Sequence, residues 1–400
     1  MARLDWHLVT SRAELRSIAP KWNDLWRRSH VTLPAAQAEP LAIWLEEFAP
    51  DALFRAVVLR QGDRLLASLP LVERRLAGAV TVGSLPNNYL SLCGDLAIDQ
   101  DCDQQAVVEL LADAFGSLPW RLVTLQDVAI DAPRWQLLQQ ALQKTGQFAE
   151  FEHRWDTGVT DIPHDWDLFF GSRSRKLRSA MKRSHERLRD SGGSALVVID
   201  DFAPHEVEPY LRRGFEVEDR SWKSGAGTSV LRVPGLFRFF GRQAAALAAT
   251  GNLALAYLEH ASQPIGFLYG IHAKGVFYPA KIGYDERFAA YSPGQLLNCQ
   301  VLERLNRQPH WEYLDFHGPL TSTFGRWATR SYRSGDLLVA ANSKLGSLPW
   351  RARLKLRPAL RDLRNRWRRQ PPSTVEIYPL HGKRHTDSTA SWAADEITQL

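Results

Sequence analysis

Cysteine is scarce: Cys93, Cys102 and Cys299 are three in 400 residues, an odd number with no metal-ligand spacing. That excludes a disulfide framework and a zinc-finger site, and it fits a reducing compartment. No apolar run approaches the about 20 residues needed to cross a bilayer. The opening MARLDWHLVTSRAEL has no signal-peptide core, so a cytoplasmic protein is expected. A Walker loop and a Gly-x-Gly-x-x-Gly fingerprint are also missing, and no metal is expected. What the chain does have is core material: 44% hydrophobic residues and 14 Trp, over a length that suits two or three domains.

Positive charge is local. Residues 171–190 (GSRSRKLRSAMKRSHERLRD) carry eight Lys or Arg against two acids, and residues 351–369 (RARLKLRPALRDLRNRWRR) nine against Asp362. With the whole chain at +6, the remainder is acidic. For the first run, with sparse apolar positions at Leu177, Met181 and Leu188, three explanations compete: a solvated face, an anionic acceptor, or nucleic acid, which is not the expected partner. The second run has Leu and Trp interspersed, so as an amphipathic helix over 349–370 it can pack back on the protein or rest on anionic lipid at the inner membrane face. Beyond Pro371 the composition turns polar and aperiodic, and 371–400 is expected to be a disordered tail.

The stretch that organises the rest is 276–305. An apolar strand is followed by a polar crossing and then by Tyr291-Ser292-Pro293-Gly294, which opens an amphipathic helix through Leu296, Leu297, Val301, Leu302 and Leu305. Ser suits the cap, Pro the first turn, and Gly a close approach to the backbone. The free N–H groups and dipole of that helix start, at Ser292, Pro293, Gly294, Gln295 and Leu296, would fit a pyrophosphate. Upstream, strands over 253–260, 265–272 and 276–283 make an antiparallel meander, and 313–316 supplies a strand after the helix. The first half repeats this order, with strands over 54–60, 65–72 and 79–83, a helix over 105–115 and a strand over 121–125, after helices over 13–29 and 41–48. Its helix start holds Asp99, Asp101 and Asp103, which would repel a polyphosphate. Asn87, Asn88 and Tyr89 would line a cleft from that side or form a surface turn.

Residues 211–338 resemble the CelD/BcsL-like (BioF-like, FemAB-related) acetyltransferases of the GNAT superfamily. The matching residues are Glu218, Trp222 and Lys223, Pro264-Ile265-Gly266, Tyr284-Asp285, Ser292-Pro293-Gly294 and Asp315-Phe316-His317-Gly318. One departure is Gly325-Arg326, standing where the family has a Lys before the aromatic at Trp327; if that Lys contacts substrate, either Arg326 replaces it or specificity differs. The resemblance implies an α/β (α+β) fold of tandem GNAT-like lobes, each a mixed, mostly antiparallel sheet flanked by helices. The expected division is a non-donor-binding lobe over 1–160, a basic connecting helix over 161–194, and a lobe over 195–348 holding the acyl-CoA site.

The implied enzyme is an N- or O-acyltransferase. It would move an acetyl or other acyl group from acetyl-CoA or another acyl-CoA to an amine or hydroxyl of a small-molecule, sugar or lipid-linked acceptor in envelope or exopolysaccharide synthesis. Attack on the thioester is direct, so the protein must position, polarise and deprotonate. At i and i+2 of a strand, Asp315 and His317 share a face and are the expected acceptor-binding pair and base. Tyr284 or Tyr291 would protonate the leaving thiolate. Glu218 and Lys223 either bind a polar acceptor, with Trp222 stacking on a sugar ring, or form a structural salt bridge. Two other functions stay open: a FemAB-like transferase using aminoacyl-tRNA, and a non-catalytic membrane-surface or assembly module on a GNAT scaffold.

Overall fold

The computed structural model describes residues 3–76, 80–341 and 347–354, with the backbone of Thr374–Ile377 and His385–Ser388. The chain divides into two compact units, Met1–Trp155 with Arg333–Pro371, and Asp156–Tyr332 with Pro372–Leu400.

The first unit begins β1 (Leu4–Val9), α1 (Arg12–Ser17), α2 (Ala19–Arg28), α3 (Ala38–Phe48), β2 (Phe54–Gln61), β3 (Arg64–Leu76) and β4 (Val80–Ser84). The helix expected over 13–29 is two helices, because Pro20 in the first turn of α2 has no N–H to continue α1. Three two-residue strands follow, β5 (Asn87–Asn88), β6 (Ser91–Leu92) and β7 (Ala97–Ile98), then α4 (Gln104–Ala114), β8 (Leu122–Ala129), α5 (Pro133–Lys144) and β9 (Phe148–Asp161). The second unit contains α6 (Trp166–Gly171), α7 (Arg175–Asp190), β10 (Ser194–Ile199), α8 (Val207–Asp219), α9 (Trp222–Gly225) and α10 (Leu236–Ala248). The meander β11 (Leu253–His260), β12 (Gln263–Ala273), β13 (Val276–Tyr284) comes next, then α11 (Pro293–Asn306), β14 (Tyr313–Pro319) and β15 (Arg330–Ala340).

Strand order in the first unit is β1-β2-β3-β4-β8-β15-β9, and in the second β9-β14-β13-β12-β11-β10. The two are topological copies. In each, an antiparallel meander leads through a helix to a strand parallel to the meander's last member, held by only two registered pairs: Gly83↔Val123 and Ser84↔Thr124 in one, Val276↔Tyr313 and Phe277↔Leu314 in the other. The hairpins of the second meander turn on two residues each, Ala261-Ser262 and Lys274-Gly275, all four at positive φ, as the twist of the flanking strands demands.

Three boundaries differ from expectation. The first unit ends at 155 and recovers 333–340 from the far end of the chain, because β15 pairs antiparallel with β8 from Ser334↔Ala129 to Ala340↔Leu122. The basic helix is no connector: Leu177, Met181 and Leu188 of α7 are buried in the second unit's core with Leu296, Val301 and Leu305 of α11. Within the supposed tail, β16 (Thr374–Ile377) and β17 (His385–Ser388) pair antiparallel. Most of the basic run over 349–370 lies outside the described residues. Its start packs on the first unit: Trp350 is buried and donates to the Val339 carbonyl (2.8 Å), and Arg353 pairs with Glu152 (2.7 Å) and Asp336 (2.6 Å).

Candidate active site

The site is built where β13 and β14 part. After Phe277↔Leu314 the two share no further pair, and β14 continues beside β9 instead, from Tyr313↔Asp161 to Asp315↔Val159. Side chains alternate across a strand. Phe277, Leu314 and Phe316 enter the core under α11, so Tyr278, Asp315 and His317 project from the opposite face. On that face Tyr278 and His317 are in ring contact (5.2 Å between centroids). Asp315 is buried and accepts from the Tyr332 hydroxyl at Oδ2 (3.0 Å) and the His317 N–H at Oδ1 (2.7 Å). Burial pushes the Asp315 carboxyl above the usual carboxylate range, and burial beside Asp315 pushes the Tyr332 phenol up. His317 is held in the left-handed region (φ 51°), which a non-glycine residue adopts only where its surroundings enforce it. Asp315 and His317 are thus brought together, with Tyr332 and Tyr278.

Lys281 projects from the same face, since its cross-strand partner Tyr269 packs on Phe240 of α10, over whose ring the Lys281 ammonium also lies (5.7 Å). Burial, then the repulsion of Lys223, brings its amine down to about 8.

At the start of α11, Ser292 occupies the cap position, but at φ 52° its hydroxyl makes no capping bond. Its carbonyl instead accepts from the N–H groups of Gln295 (3.0 Å) and Leu296 (3.1 Å). Pro293 has no N–H, so Gly294 alone in this first turn keeps an N–H without a protein partner among the described residues. Leu296 is a correction: its N–H is taken and its side chain is core, so it offers a ligand nothing. Gln295 accepts from the Trp327 indole (2.9 Å), tying the helix start to the loop that carries the exposed Arg326. Tyr284 lies across the turn, its ring 3.4 Å from where a Cβ on Gly294 would stand. Tyr291 goes elsewhere, packing against His260 and Phe288.

Buried Glu218 and half-buried Lys223 form a structural pair (2.8 Å). The other Glu218 oxygen accepts from the Val230 N–H (3.0 Å), and Lys223 also donates to the Ile282 carbonyl (3.1 Å). Neither is left for an acceptor, whereas Trp222 is 58% exposed. Asp285 of the Tyr284-Asp285 motif is likewise structural, pairing with Arg220 (2.7 Å) and Arg287 (2.6 Å). A cleft of about 340 Å³ opens there, on the approach to α11, lined by Arg213, Arg220, Gln263, Asp285, Arg287 and Phe288. It does not reach residues 292–296, and the parted strands rather than this cleft carry the grouped acid, imidazole and phenols.

The equivalent corner of the first unit is closed. Asp103 caps α4 by accepting from the Ala106 N–H (3.1 Å), and Asp99, fully buried, pairs with Arg28 and Arg64. Asn87 is neither cleft lining nor surface turn. It is buried, accepting from the Cys93 and Gly94 N–H groups and donating to the Gln126 carbonyl.

Residues 175–323 match the family model of an acetyltransferase (GNAT) domain. The second unit has a GNAT fold. Solved structures extend the likeness beyond the GNAT unit. FemX matches with a TM-score of 0.55 at 13% identity, covering 86% of this chain and 99% of its own. A conserved protein of unknown function from Bacteroides thetaiotaomicron matches at 0.50 and 12% identity, over 85% and 99%. No curated protein matches the sequence. Among the described residues no His, Cys, Asp and Glu group could hold a metal ion, and no helix is long and apolar enough to cross a membrane.

Sequence reasoning missed Tyr278, Lys281 and Tyr332. Lys281 had a signal, a lone charge in the strand VFYPAKIGY; Tyr332 had none, because only the return of β15 sets it beside Asp315.

Proposed function

We propose that the GNAT unit transfers an acyl group from acetyl-CoA or another acyl-CoA to an amine or hydroxyl, the donor approaching along the start of α11 and the acceptor from the face that carries Asp315 and His317. The observation behind this is the parting of β13 and β14 after two registered pairs, with the Gly294 N–H unpaired on one side and the Asp315, His317, Tyr332 group on the other. The gap lets a thioester meet a nucleophile without either crossing a hydrogen-bonded sheet.

In this reading the Gly294 N–H and the helix dipole hold a donor phosphate. Tyr284, packed across Gly294, borders the phosphate end of the donor in this reading, a pantetheine arm away from the thioester, and Tyr291 packs in its own aromatic cluster, so neither is the acid for the departing thiolate. His317 takes the acceptor's proton, and Asp315 fixes the backbone turn that presents it. Arg326, exposed on the loop anchored through Trp327, and Trp222 contact the acceptor's outer parts. An envelope or exopolysaccharide precursor, handled in the cytoplasm at the inner membrane face, fits an exposed indole beside a polar face.

Isothermal titration with acetyl-CoA tests the donor half. Micromolar-range binding is expected, lost in Gly294→Glu and kept in Gly294→Ala. Equal affinity in Gly294→Glu would place the donor elsewhere. A second reading, an aminoacyl-tRNA donor, draws on the exposed Arg175, Lys176 and Arg183 of α7, which have no ion-pair partner among the described residues. It requires RNA binding that weakens steeply with salt.

A further inference from the structure

Around Lys281 the charges do not balance. Its neighbours on the same face are Glu218 of α8, Lys223 of α9, Phe240 and Gln243 of α10, and Tyr269 of β12. Glu218 is the single carboxylate among them, and both its oxygens are committed, one to Lys223 and one to the Val230 N–H. Gln243 accepts from the Tyr269 hydroxyl (3.2 Å). Two ammonium groups therefore face one carboxylate, and Lys223 has it. Among the described residues Lys281 has no ion pair and no hydrogen bond, only the ring of Phe240. Lys281 is half-buried, and an ammonium so shielded from water without a counter-ion is costly to the fold. The neighbouring lysine shows what the fold provides where a charge serves structure: a carboxylate at 2.8 Å and a carbonyl at 3.1 Å.

We propose that Lys281 is the counter-ion for an anionic group, a carboxylate or a phosphate, on the acceptor. The inference rests on the acyltransferase reading, which brings the acceptor to this face. Lys281 lies three residues along β13 from Tyr278, whose ring touches His317, so the anion would bind on the same strand as the tyrosine beside the proposed base. Tyr278 and Tyr269 flank that position with phenol rings, and among the described residues Glu218 is the one carboxylate whose charge acts on Lys281. Sugar acids, sugar phosphates and lipid-linked phosphates satisfy this requirement; neutral sugars do not. The ammonium orients the acceptor and takes no part in bond making.

The test reads Lys281 directly, without knowledge of the acceptor. Full-length protein is trace-labelled with acetic anhydride from neutral to alkaline pH, and the Lys281 peptide is quantified by mass spectrometry against exposed Lys176. In the free protein, labelling should rise with a midpoint near the lowered amine value of about 8. Inorganic phosphate or succinate should move the midpoint up, cutting labelling at that pH about fivefold, which is what a one-unit rise gives. Protection by phosphate alone assigns a phosphate, and by succinate alone a carboxylate. No protection, or equal protection by sodium chloride at matched ionic strength, overturns the proposal. Lys281→Met supplies a second readout: removing an unmatched charge should raise the urea midpoint, and a fall would mean that the folded protein already holds a partner for it. Acetyl-CoA titration on the same samples keeps the readings apart. Donor binding with an unresponsive Lys281 sinks this inference alone; absent donor binding with Lys281 still protected sinks the acyltransferase reading and the acceptor role with it, and leaves only an anion site at Lys281.

Discussion

At the scale of single residues, the second unit sorts its polar groups into those that hold the fold and those that stay available. Glu218 and Lys223 belong to the first kind. Lys223→Met would leave Glu218 buried with half its partners, and we expect a loss of about 3 kcal/mol in urea unfolding. The double variant Glu218→Gln, Lys223→Met should recover part of it, because the stranded charge is then gone. Asp315 gives the opposite pH dependence to that of most paired carboxylates. Burial raises its folded-state value, so the folded chain holds that proton more tightly than the unfolded chain does. Stability is therefore fully present below the ordinary carboxylate value and is lost as pH climbs through the raised one. Asp315→Asn, neutral throughout, should gain on the parent in denaturation midpoint as the buffer goes from acid to neutral. A gap that stays constant with pH would contradict the assigned shift.

At the scale of elements, glycines separate close backbone approach from mere tolerance. A Cβ on Gly335 of β15 would run into the Glu152 carbonyl of β9, and backbone cannot give way as a side-chain end can. Gly335→Ala should cost about 1–3 kcal/mol. Gly241, inside α10 with open space around it, should behave oppositely: Gly241→Ala is expected to stabilise by about 0.5–1 kcal/mol. Thermal unfolding of the two variants checks both signs. The elements themselves were legible wherever apolar periodicity was clean. The strand expected over 253–260 is β11, and the helix expected over 105–115 is α4 shifted by one residue. Others were not. β9, Phe148–Asp161, carries Glu150, Glu152, His153 and Arg154 in its first half, which hides a strand behind charge. The Ser-Pro-Gly start of α11 was readable, but the left-handed turn at Ser292 was not, nor was the consequence that a single N–H is left free. Residue type shows that a pair such as Glu218 and Lys223 can form; only the fold decides that it is consumed there.

At the scale of the whole molecule, two units of one topology have unequal corners. In the second unit a free amide sits at the helix start. In the first, Asp103 closes α4, and Asp99, Arg28 and Arg64 fill the space beside it. Acetyl-CoA should therefore bind with a stoichiometry of one per chain. Calorimetry that fits two equivalent sites would refute the assignment of the first unit as non-binding.

The strand Arg330–Ala340 makes the chain's connectivity a scheduling matter. Its place between β8 and β9 stays vacant until a ribosome has released residue 340, so the amino-terminal half cannot finish its sheet as it emerges and must wait for nearly all of the other half. A stop codon after residue 160 would not yield an autonomous lobe but a fragment with two raw edges, inviting self-association.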